Sequence, residues 1–153
     1  MSREQELSRR IAMTTTRGRM ALVDDKKKLQ QVQVELLADE TKDNVERFQQ
    51  YGFTSVPLKG AEVLTVFLGG GRDHAIVLAI DDRRYRLTGL ENGDVALYNE
   101  SGAKIVLSKD KTITITSDEL VIDGDHVHLS CSTLEIDAID SITVTSPSID
   151  VNK

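Results

Sequence analysis

The residues that could do chemistry in this chain are few, and each has a plainer role. Gly69-Gly70-Gly71 could cradle a phosphate, but the Lys-Ser/Thr of a P-loop does not follow and no helix pattern comes next. The triplet reads as a hairpin turn. His74 beside Asp73 has the form of a base with its orienting carboxylate, yet no Ser or Cys stands near it in a triad pattern, so it reads as a turn residue. Asp81-Asp82-Arg83-Arg84 offers paired carboxylates. It reads as a solvated loop, or at a subunit boundary as salt bridges of limited net worth. The single cysteine, Cys131, excludes an intrachain disulfide and a cysteine zinc cage, and reads as a small buried or corner residue. Asn99-Glu100-Ser101 matches a glycosylation acceptor that a cytoplasmic bacterial-type product would not use. No catalytic residue is expected.

Composition sets what these residues could be mounted on. The chain has 153 residues, 39% of them hydrophobic but only 4% aromatic, with no Trp. Such a core is built from Val, Ile and Leu, which favour strands. The net charge is -6, and it is uneven. Residues 1–28 carry eight basic side chains against four acidic ones. From Thr112 to Asn152 there are Asp118, Glu119, Asp123, Asp125, Glu135, Asp137, Asp140 and Asp150, with no Lys or Arg. An acidic chain with few aromatics lacks the basic face and stacking platform of a nucleic-acid binder, so no nucleic-acid partner is expected. No signal peptide or membrane-spanning apolar run opens the chain, which points to assembly in a cytoplasm.

The positioning elements are mostly strands. Residues Ser2 to Met13 form a short helix or arm: Ser2 with Gln5 fits a capping box, and Leu7 and Ile11 lie one turn apart. Val32, Val34 and Leu36 alternate with polar residues as in a half-buried strand. Val63–Leu68 and Ala75–Ile80 flank the glycine turn as a hairpin, and Asn92-Gly93 reads as another, leading into Val95 and Leu97. Lys26-Lys27-Lys28 is a solvated loop. Several short strands over some 80 residues predict a small barrel, the five-stranded OB barrel being commonest at this size.

The last third carries an internal repeat of aliphatic, any residue, aliphatic. It runs Ile105/Leu107, Ile113/Ile115, Leu120/Ile122, Val127/Leu129, Leu134/Ile136, Ile142/Val144 and Ile149/Val151, in steps of 8, 7, 7, 7, 8 and 7. Each unit is a strand of about five residues with a short corner. Two inward aliphatics per strand cannot enclose a core in one coiled chain without leaving backbone groups without partners. Three chains wound together can, with these residues meeting on a threefold axis; seven layers at roughly 4.8 Å make a prism about 34 Å long. A seven-stranded meander is the alternative, but only Asp123-Gly124 among the corners suits a two-residue primed turn. The fold class expected is therefore all-β: a short arm over 1–16, an OB-fold-like barrel over 17–99, and an intertwined trimeric β-helix or prism over 100–153.

The stretch Asp43 to Tyr98, most specifically Asn44–Gly52 and Arg83–Gly89, resembles the Mu-like phage baseplate spike protein of the baseplate assembly protein V type. The resemblance covers most of the chain from about Gln33. It implies a homotrimer in the virion's tail baseplate. Its barrel would be seated among hub proteins below the tail tube, and its triple-stranded β-helix would pierce the host outer membrane when the sheath contracts. It further implies an apex of His-x-His pairs around one iron ion per trimer. His126-Val127-His128 has that form, but 25 residues follow it, and the repeat turns Val127 and Leu129 inward and the histidines outward. The tip would then be closed by a capping protein, by residues beyond Lys153, or by packing of Ile149 and Val151.

Two other functions fit less well. A β-helix enzyme acting on surface polysaccharide needs a six-residue repeat or a far longer solenoid. An OB-fold nucleic-acid or baseplate adaptor module without a piercing role would leave the repeat unexplained. On the spike reading, the acidic prism surface would resist adhering to anionic lipopolysaccharide.

Overall fold

A computed structural model describes residues 3–12, 14–36 and 39–149. The chain divides into two compact units, Met1–Asp118 and Glu119–Lys153. The first begins with helix α1 (Arg3–Ala12), on which Leu7 and Ile11 are exposed. Thr14 closes its end, the hydroxyl donating to the Ile11 carbonyl at 2.8 Å. The expected capping residue Ser2 lies outside the described residues.

Five strands follow: β1 (Thr15–Asp24), β2 (Gln31–Leu36), β3 (Thr41–Arg47), β4 (Glu62–Phe67) and β5 (Ala75–Asp81). They close a barrel in the order β1-β2-β3-β5-β4, antiparallel except for β3 beside β5. Closure leaves no free barrel edge. The predicted alternation of β2 holds, with Val32, Val34 and Leu36 all buried. They pack with Met20, Val45, Val63, Phe67 and Val77 into a core with a single aromatic ring. The glycine triplet does join β4 to β5, through a 3-10 turn in which Gly69 has φ 67°.

Barrel curvature comes from irregularities that a strict two-residue period cannot express. Beside β2, β1 slips register between Met20 and Leu22, so consecutive Met20 and Ala21 are both buried. In β3 the register slips opposite Val32/Val34, and Asn44 takes φ 55°, a conformation Asn tolerates. At Gly18 the chains approach most closely. A Cβ there would lie 2.4 Å from the Glu35 carbonyl oxygen and 2.9 Å from Leu36 Cδ2. Only glycine lets β1 run this near to β2.

One polar side chain is out of place in the core. Thr65 is fully buried on β4, and its hydroxyl has no hydrogen-bond partner among the described residues. By contrast, buried Gln30 is well served: it accepts from Arg47 at 2.7 Å and donates to the Ser55 carbonyl at 3.1 Å.

The Asn92-Gly93 pair forms a turn, with Gly93 at φ 99° and the Asp94 N–H donating to the Glu91 carbonyl. It does not join two strands as expected, because residues 86–90 form no strand. The first unit ends in a three-stranded antiparallel meander, β6 (Val95–Tyr98), β7 (Lys104–Leu107) and β8 (Ile113–Thr116). Residues 117–149 join no strand ladder within the chain.

Two core substitutions test this packing. Gly18→Ala destabilises by about 1–3 kcal/mol because the backbone itself blocks the methyl group, whereas Gly71→Ala, with ordinary φ -91° and open space around it, leaves the melting temperature unchanged. Thr65→Val removes the unsatisfied hydroxyl at constant shape and stabilises by about 1–2 kcal/mol, read as a higher denaturant midpoint at unchanged m-value.

Candidate functional site

The residues singled out for chemistry come apart in three dimensions. His74 sits in the β4–β5 turn, where its carbonyl accepts from Leu68 N–H at 3.0 Å. Asp82 and Arg84 pair with each other at 2.6 Å, and Arg84 also donates to the Lys59 carbonyl at 2.9 Å. Arg83 pairs with Glu62 at 2.6 Å, and Arg17 also pairs with Glu62. Within the chain, Arg84 ties the Asp82 turn to the Lys59 turn, and Arg83 and Arg17 both reach Glu62 on β4. The Asp82 carboxyl is held below the usual range, chiefly by its hydrogen bond from Arg84. Cys131 is exposed beside the bend at Ser132, a corner position and not a buried one.

His126 and His128 are exposed, with ring centroids 6.3 Å apart and planes 22° from parallel. That is the same-side placement of residues two apart on an extended chain. An axial iron would need both histidines on the face that the repeat gives to Val127 and Leu129. Among the described residues no group of three His, Cys, Asp or Glu gathers where a metal could sit.

The aliphatic repeat is where the structure concentrates exposed apolar surface. Ile105 and Leu107 lie on β7, and Ile113 and Ile115 on β8. Their strands pair antiparallel within the chain, Ile105 with Ile115 and Leu107 with Ile113. This corrects the expectation of one strand per chain in every layer. The first two units are a hairpin, because Ser108–Thr112 makes a tight turn. Lys111 takes φ 73° there, and the Asp110 carboxylate accepts from Thr112 N–H at 3.0 Å. Leu120, Ile122, Val127, Leu129, Leu134, Ile136, Ile142, Val144 and Ile149 are each 53–68% exposed. Val151 lies outside the described residues.

Sequence reasoning left two members out. Val95 and Leu97 on β6 pair with Leu107 and Ile105, so they extend the same apolar rows. Their signal was present as another aliphatic-x-aliphatic pair, ten residues before Ile105. The step of ten hid it: the turn at Asn99–Ala103 is as long as Ser108–Thr112, but Tyr98 and Lys104 add a strand residue on either side of it.

The meander is anchored by Asp94. Its carboxylate accepts from Lys109 N–H at 2.9 Å and Glu91 N–H at 2.8 Å, tying the turn before β6 to the turn between β7 and β8. Those two N–H groups, Lys109 first, hold the Asp94 carboxyl below its ordinary value. Lys109 also pairs with Glu91.

A closed five-stranded barrel, a three-stranded meander and a run of exposed aliphatic pairs define a mostly-β protein. Residues 17–84, nearly the whole barrel, match the family described as bacteriophage Mu Gp45, N-terminal. The chain is 41% identical over 141 residues to the baseplate puncturing device gp45 of Escherichia phage Mu, covering 92% of this chain and 64% of that protein. It is 32% identical over 132 residues to the Mu-like prophage FluMu protein gp45 of Haemophilus influenzae, covering 86% of this chain and 72% of the relative. The chain belongs to the bacteriophage Mu Gp45 family. It spans a little under two thirds of the length of the phage Mu relative.

Asp94→Ala lowers the melting temperature at pH 7. Because the folded carboxyl is shifted down, its contribution is complete above its unfolded value of about 3.9 and fades as pH falls through the lower folded value. The gap between wild type and variant therefore narrows below about pH 4, which melting curves across pH 2.5–7 check.

Proposed function

We propose that this protein is a structural component of the virion's tail baseplate, a homotrimeric spike that punctures the host outer membrane. The observation that carries this reading is the surface one chain leaves bare. The repeat aliphatics Leu120, Ile122, Val127, Leu129, Leu134, Ile136, Ile142, Val144 and Ile149 are each 53–68% exposed, and among the described residues they join no strand ladder.

Three copies fulfil what the repeat asks. Each layer takes one strand per chain beyond β8, and the aliphatic pairs meet along a common axis. Strand hydrogen bonds then run between chains, so the rod cannot unravel without all three separating. The barrel, whose strand order and parallel β3–β5 contact support an OB-like reading, is the part that sits in the baseplate hub and passes on the axial push from the sheath. The function is stiffness, and no bond-making step is part of it. The name of the phage Mu relative, a baseplate puncturing device, supports the same role. The acidic face over 118–150 is then the outer surface of the rod. His126 and His128 belong to that surface, with the apex closed by a capping protein or by aliphatic packing and not by iron.

Native mass spectrometry is expected to give three chains of 16.9 kDa, about 51 kDa, with no iron retained. A monomer at micromolar concentration overturns the spike reading. One iron per trimer overturns the outward placement of the histidines and leaves the spike standing.

A further inference from the structure

The meander supplies something the spike reading does not ask for: a folded apolar platform in a chain whose remaining repeat units stay unladdered. Its register puts Val95, Leu107 and Ile113 in one cross-strand row and Leu97, Ile105 and Ile115 in the next. Alternation along each strand places all six on one face. That face carries no charge, and its side chains are 37–65% exposed. The opposite face carries Lys104, Thr114 and Thr116 among its residues. A three-stranded sheet needs a covered apolar face to be stable.

Local turns build this platform without help from another chain. The Asn99 carboxamide oxygen accepts from Ser101 Oγ at 2.8 Å and from Ala103 N–H at 3.1 Å, and Asp94 pins the far turn. Strands joined by such short turns form quickly. Residues 119–149 are different. They join no ladder in their own chain, and ordering a backbone costs about 1–2 kcal/mol per residue. They have nothing to offset that cost until edges from other chains are at hand.

We propose that the apolar face of β6–β8 is the assembly nucleus: two further copies of this chain cover it first, which fixes the register of the three chains, and residues 119–149 then zip into the rod. The occupant is this same chain because the rows on the face repeat the aliphatic pairs that continue through Ile149. The inference rests on the trimer reading and adds the order of events and the surface where they begin.

The test is refolding of the full chain from denaturant at several concentrations, following trimer formation by light scattering and trimer loss after dilution. Leu107→Ala slows trimer formation about tenfold or more, and the milder Ile105→Val slows it several-fold. Ile136→Ala and Ile142→Val form trimers at the wild-type rate but lose them faster. If the substitutions beyond β8 slow formation and Ile105→Val does not, the nucleus lies in the rod and the inference fails. If all four slow formation equally, there is no separate nucleus and it fails as well. Both failures leave the trimer intact, whereas a wild-type chain that stays monomeric removes the spike reading itself.

Discussion

The second half of this protein is dominated by apolar side chains that arrive two at a time, every seven or eight residues, and that stand exposed among the described residues. An aliphatic pair on a short strand is too small to make a core by folding back on itself. It can be buried only where other strands present the same pair at the same height. In the proposed spike, parallel copies of this sequence meet that requirement. The closed five-stranded barrel is the counterpoint. Its core is complete, its edges are paired, and Gly18 lets β1 pass within reach of the Glu35 carbonyl where any side chain would collide.

The division of labour between the two parts is also electrostatic. In the barrel, charges are spent on short internal braces: Glu62 between Arg17 and Arg83, Asp82 with Arg84, and Glu40 with Arg72. The Arg72 guanidinium also lies 4.5 Å above the Phe67 ring, closing the end of the core. Beyond Thr112 the charges are carboxylates with no cation among them until Lys153. Carboxylates of one sign with no cation among them repel anionic surfaces.

Legibility of the fold tracked the regularity of each segment. β2 could be read because Val32, Val34 and Leu36 keep a strict period, and the β4–β5 hairpin because three glycines punctuate it. Met20-Ala21 and the Asn44 bulge could not, since a bulge buries neighbours that alternation would set on opposite faces. The repeat was legible as a repeat. Its first two units were misassigned because strand pairing depends on the turn between strands. The Ser108–Thr112 turn works through an Asp110 side-chain bond and a left-handed Lys111, which no aliphatic spacing records. Val95 and Leu97 were passed over for the same reason.

By itself the sequence determined which side chains seek burial and how often they recur, because those properties reside in residue type and spacing. Tertiary structure alone decided which rows those side chains share. Registers Val95–Leu107–Ile113 and Leu97–Ile105–Ile115 exist only once turns of particular length have closed. A slip of one residue in the β7–β8 turn would send Ile113 and Ile115 to the opposite face and leave the apolar surface two strands wide.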